Sequence, residues 1–195
     1  MKNIVFFGDS LTAGYGLPAA ESFPARIQEK LDAAGLAYRA HNYGVSGETS
    51  AGGRQRLPSV LARVAPDVFV LALGANDGLR GIPLAQTTAN LHAILQEVRQ
   101  RFPAATLVLA GLDFPFDLGF LGVPALAGYA RQFVGLFGAL AEREGVAFVP
   151  HLLAGVLGQA ALNLPDRVHP NAAGQRILAD NVWQVLQPLL RPVVA

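Results

Sequence analysis

The run Asp67-Val68-Phe69-Val70-Leu71-Ala72-Leu73 narrows the choice of fold more than any other stretch of the chain. A strand with one wet face alternates apolar and polar residues. This one is apolar almost throughout and rich in β-branched and aromatic side chains, the pattern of a strand covered on both faces in a parallel sheet. Parallel strands need a crossover between them, which is normally a helix. The rest of the chain supplies those partners. Ile4-Val5-Phe6-Phe7 reads as a first buried strand, Leu36 to Tyr43 as a second, Thr106 to Leu112 as a fourth and Val146 to Val149 as a short fifth. Between them apolar residues return at helical spacing. Phe23, Ile27 and Leu31 precede Gly35, Leu57 to Val64 mark a second helix, and Leu91 to Phe102 a third that Pro103 stops. Leu126, Tyr129, Phe133, Leu136, Phe137 and Leu140 mark a fourth, and Asn171 caps a last one that buries Leu178, Val182, Val185, Leu186 and Leu189.

Strands alternating with helices through five units predict a doubly wound α/β sandwich with a mostly parallel sheet. With 195 residues, 52% of them hydrophobic, and no linker or repeat, one domain over residues 1–195 is expected. A formal net charge of +1 gives no electrostatic footprint for nucleic acid or an anionic membrane. The absence of cysteine excludes disulfides, thiol nucleophiles and cysteine-ligated metals together. The first apolar run is too short for a membrane span or a signal-peptide core. The cytoplasm is the expected compartment, the periplasm or the exterior that of a chain from which a leader has been removed.

Parallel strands present their carboxyl ends on one edge of the sheet, where ligands gather in folds of this kind. Three of the strands run into small polar turns there: Gly8-Asp9-Ser10-Leu11, Val45-Ser46-Gly47-Glu48-Thr49 and Gly74-Ala75-Asn76-Asp77. A fourth polar segment, Asp166-Arg167-Val168-His169-Pro170, enters the last helix. These residue types match the needs of acyl transfer. A serine hydroxyl attacks only when a base takes its proton, histidine is the base suited to neutral pH, and a carboxylate fixes its tautomer. The N–H groups of Ser10 and Gly47 and the side-chain amide of Asn76 are the donors available to a developing oxyanion. Asp9 and Asp77 are expected to hold turns by accepting backbone N–H groups. Other readings compete: a helix cap for Ser10, a metal hydrolase using Asp9, Asp77, Asp166 and His169, and a binding protein holding a phosphate at the same edge. The last finds no Gly-x-Gly-x-x-Gly or Walker-type run and gives Asp166 and His169 no task.

Taken in order, these segments resemble the sequence blocks of the GDSL, or SGNH, hydrolases, and are most similar to the bacterial thioesterase I/lysophospholipase L1/arylesterase group. The resemblance implies a flavodoxin-like three-layer α/β/α sandwich around a five-stranded, mostly parallel sheet. It implies a serine esterase acting on aryl, acyl or lysophospholipid esters or on thioesters, with no cofactor and no metal. By motif match Ser10 is the nucleophile, His169 the base, Asp166 its orienter, and Ser10, Gly47 and Asn76 the oxyanion hole. Candidate substrate contacts are Leu11, Asp77, Val168, Phe114 and Phe116. The last two lie in a loop, Asp113 to Gly122, that departs from the polar turn common in the group, so acyl-length preference does not transfer. The partner implied is a small ester or thioester. A carbohydrate O-deacetylase on the same fold is the alternative.

Overall fold

The computed structural model describes residues 1–112 and 124–190. Five strands, β1 (Lys2–Gly8), β2 (Tyr38–Gly44), β3 (Val68–Ala72), β4 (Thr106–Ala110) and β5 (Ala147–Val149), form one sheet in the order β2-β1-β3-β4-β5. Every neighbouring pair is parallel, with Ile4 opposite both Ala40 and Val68, and Leu109 opposite Phe148. All of β3 and the Ile4–Phe7 stretch of β1 are buried, as their unbroken apolar runs require. β2 lies at an edge, where one side of the strand has no neighbour, and carries Arg39, His41 and Asn42.

Among the described residues, seven α-helices connect and cover the strands: α1 (Ser10–Ala13), α2 (Phe23–Ala33), α3 (Ser50–Leu61), α4 (Ala75–Leu79), α5 (Leu84–Arg101), α6 (Pro124–Glu144) and α7 (Ala172–Leu186). α2 packs on α7, whereas α3, α5 and α6 pack in series, giving the two helical groups of a doubly wound sheet. The α5–α6 contact is pinned by Glu144, whose side chain is only 4% exposed and meets His92, Gln96 and Arg99. Burial raises its pKa, but hydrogen bonds from Arg143, His92, Gln96 and Arg99 outweigh that and hold it at about 2. His92 is therefore a structural partner of Glu144, and His41 is one of Asn3 at 2.9 Å.

From β1 the chain moves to β2 on one side, then crosses back over β1 to β3 on the other, so the carboxyl ends of β1 and β3 form the topological switch point. The segments after both strands are short helices where the sequence suggests only turns. Asp9 Oδ1 accepts the Leu11 N–H at 3.0 Å and starts α1, and Gly14, at φ 75°, ends it. Gly8 has to be glycine: a Cβ there would stand 2.1 Å from Thr12 Oγ1 and 2.7 Å from the Ala72 carbonyl. Among the described residues, no helix is long and apolar enough to cross a membrane.

Candidate active site

Ser10 opens α1 directly beyond β1, buried to 8% exposure. Its Oγ lies 3.0 Å from His169 Nε2, and His169 Nδ1 lies 2.7 Å from Asp166 Oδ2. The loop between the two acidic and basic partners is folded for this contact. Asp166 Oδ1 accepts the N–H groups of Val168 and His169 at 2.9 and 3.0 Å, which requires Arg167 to adopt the left-handed φ of 58°. Leu164 closes the loop from outside, donating its N–H to the His169 carbonyl at 2.7 Å and accepting that of Arg167 at 2.8 Å. Burial raises the Asp166 pKa, but the His169 N–H, its ring N–H and the Val168 N–H outweigh that and hold it at about 2. Asp166 is thus a carboxylate at any working pH and only an acceptor. The proton of a neutral imidazole then sits on Nδ1, leaving the Nε2 lone pair facing the serine hydroxyl.

The loop after β2 is held against this pair by side chains from three directions. Asn76, in α4, donates one amide hydrogen to the Glu48 carbonyl at 3.0 Å, and Arg80 donates to the Gly47 carbonyl at 3.0 Å. The Glu48 carboxylate, 8% exposed, is gripped by Arg56, which also donates to the Tyr43 carbonyl and lies over the Phe7 ring. Gly47 adopts φ 79°, a conformation that a side chain would resist. Neither its N–H nor that of Ser10 is taken by an acceptor among the described residues.

Leu11, Leu79, Leu112, Phe133, Leu153 and Val168 enclose a pocket of about 90 Å³ whose polar wall is Ser10, Asn76 and His169. Leu11 and Val168, two of the expected substrate contacts, line this pocket. Asp77 does not. It is fully buried, with Oδ2 accepting the Ser50 N–H at 2.8 Å and Oδ1 facing the Ser50 and Thr87 hydroxyls. Consecutive residues of a helix point about 100° apart, so with Asn76 turned to the site its neighbour is turned into the protein. Asp77 anchors α4, the turn-holding role, and is not a substrate contact. Phe114 and Phe116 lie outside the described residues. Asp9, Asp77, Asp166 and His169 are not brought together as metal ligands: among the described residues, no group of three or more acidic or histidine side chains is placed to hold a metal ion.

Three participants carry no signal in the sequence. Tyr15 packs, tilted, against the His169 ring with centroids 4.4 Å apart, Arg80 has the appearance of an ordinary surface arginine, and Gln175 bridges the Phe23 N–H and the Leu11 carbonyl across the foot of α1. Their roles arise from tertiary proximity alone.

A buried serine, a half-buried histidine and an exposed carboxylate in series at the switch point of a parallel α/β sheet match the general class of hydrolases that work through a serine. The match with a family model is specific. The GDSL-like Lipase/Acylhydrolase family matches residues 6–177. The chain is 38% identical to the esterase TesA of Pseudomonas aeruginosa over 97% of its own length and 90% of that relative. It is 32% identical to the thioesterase 1/protease 1/lysophospholipase L1 of Escherichia coli K12, over 96% and 84% of the two chains. The crystal structure of TesA superposes with a TM-score of 0.88 at 38% identity, covering 97% of this chain and all of that one (100%). The chain belongs to the GDSL-like lipase/acylhydrolase family, and it is a serine hydrolase of carboxylic esters or thioesters.

Proposed function

We propose that Ser10 is the nucleophile of an acyl-enzyme mechanism in which His169 is the general base and then the general acid, and Asp166 orients it. The observation that carries this reading is the unbroken series from Asp166 Oδ2 through both ring nitrogens of His169 to Ser10 Oγ, at 2.7 and 3.0 Å. His169 Nε2 takes the serine proton as Oγ attacks the carbonyl carbon, and returns it to the leaving oxygen or sulfur as the tetrahedral intermediate collapses. Water then repeats the sequence against the acyl-enzyme. The Ser10 and Gly47 N–H groups and the second amide hydrogen of Asn76 are the oxyanion donors. Arg80 and Glu48 serve by fixing the loop that carries Gly47.

The acyl part of the substrate occupies the pocket lined by Leu11, Leu112, Phe133, Leu153 and Val168. This lining favours a hydrocarbon chain over a sugar ring, which would leave its hydroxyl groups without partners. The test is hydrolysis of p-nitrophenyl esters from acetate upward by the wild type and Ser10→Ala, with and without a chelator. Turnover should fall by about 10⁴-fold or more in Ser10→Ala and be indifferent to the chelator. Equal activity of the two proteins removes Ser10 as nucleophile. Loss of wild-type activity on chelation points instead to a metal-dependent route.

A further inference from the structure

An ester has two halves, and the site treats them differently. The acyl half is met by the apolar pocket beside Ser10 and Asn76. The leaving group has to place its oxygen by His169 Nε2 to collect the proton, so the atoms beyond that oxygen run along the imidazole. Among the described residues, the ring that stands against the imidazole without lining the acyl pocket is that of Tyr15. Its ring centroid is 4.4 Å from that of His169 with the planes 39° apart, and the residue is 49% exposed.

The backbone fixes this ring from both sides. The Tyr15 N–H donates to the Ser10 carbonyl at 3.1 Å, across the single turn of α1. On the other side Gly16, at φ 77°, approaches Leu164 so closely that a Cβ would come within 2.7 Å of Leu164 Cδ1, and Leu164 is the residue that closes the His169 loop. The Tyr15 hydroxyl makes no hydrogen bond among the described residues. The aromatic face is therefore held at a set distance from the catalytic base, half open to solvent, and not tethered through its polar end. Such a ring loses little freedom when something packs on it.

We infer that Tyr15 forms the leaving-group subsite and selects esters whose departing alcohol carries an aromatic ring. The inference rests on the assignment of Ser10 and His169 made above. In the acylation step the Ser10 Oγ–carbonyl carbon bond forms and the bond from that carbon to the phenol oxygen breaks. The serine proton passes through His169 Nε2 to that oxygen, and the phenol departs across the Tyr15 ring. Aromatic pairs of this kind gain from edge and offset contacts beyond simple area burial.

The experiment compares phenyl acetate with methyl acetate, which give the same acetyl-enzyme and differ only in what leaves. Tyr15→Ala should lower kcat/KM for phenyl acetate about 3- to 10-fold more than for methyl acetate, and Tyr15→Phe should match the wild type on both. A Tyr15 that merely held His169 in place would slow both esters alike and shift the pH profile of kcat/KM, and that result overturns the inference. Ser10→Ala measured alongside separates the two failures. Its undiminished turnover would remove the acyl-enzyme assignment itself, whereas its inactivity with equal losses in Tyr15→Ala would remove only the subsite.

Discussion

Asn76 illustrates how one side chain is committed by its partners. One of its two amide hydrogens is spent on the Glu48 carbonyl at 3.0 Å, which fixes the direction of the other. A donor held in advance at the place where negative charge develops contributes to the transition state and little to the bound ester. Asn76→Ala should therefore lower kcat by about 100- to 1000-fold with KM nearly unchanged, in steady-state kinetics on a p-nitrophenyl ester. Undiminished kcat would take Asn76 out of the mechanism. The convergence of Ser10, His169, Asp166 and Asn76 is legible in the sequence because acyl transfer demands those residue types in turns at one sheet edge. Tyr15 and Arg80 are not, since a tyrosine and an arginine in loops are ordinary until the fold sets one against His169 and the other against Gly47. Asp77 misleads for the opposite reason. Its neighbour faces the pocket beside Ser10, and only the helical twist of α4 shows that Asp77 faces inward.

Among the elements, the five strands and the longer helices follow from hydrophobic period, which needs two turns or more to register. α1 and α4, at 4 and 5 residues, are too short to show one. They are helices because their ends are tied, α1 by Asp9 and α4 by the buried cluster around Asp77. That cluster joins three elements: Asp77 in α4 accepts from Ser50 at the start of α3 and from Thr87 in α5, and Asn90 of α5 donates to Ser50 Oγ at 3.1 Å. Removing the carboxylate leaves a buried N–H and two hydroxyls short of an acceptor. Asp77→Ala should cost about 2–4 kcal/mol in stability, measured by urea denaturation. Because α4 also carries Asn76, kcat should fall with it. A variant of wild-type stability would show that the cluster has a replacement acceptor.

On the scale of the whole molecule, a topology that sends catalytic loops to one edge also gathers carboxylates there. Asp9 is fully buried, and its Oδ2 has no hydrogen-bond partner among the described residues. Burial raises its pKa most. The Leu11 and Ala75 N–H groups offset part of that, and the nearby Asp77 and Glu48 carboxylates add to it, so the pKa rises from 3.8 to about 7. An acid with a raised pKa keeps its proton in the native state after the unfolded chain has released it. Its contribution to stability is therefore complete below pH 3.8 and is lost progressively as pH rises to about 7. Asp166 and Glu144, held at about 2, work in the reverse sense, stabilising above the ordinary carboxylate range and losing that as pH falls toward 2. His41, pushed down by burial and by Arg39, favours the native state in its neutral form and opposes Asp9 between mildly acidic and neutral pH. The wild-type profile sums all of these, so the contribution of Asp9 has to be read as a difference. Asp9→Asn keeps an oxygen to accept the Leu11 N–H and removes the titration. Its stability relative to the wild type should rise steadily between about pH 4 and about pH 7 and level off above, in urea denaturation across that range. A difference that stays constant with pH would mean that Asp9 is ionised in the native protein, stabilised by a partner for Oδ2.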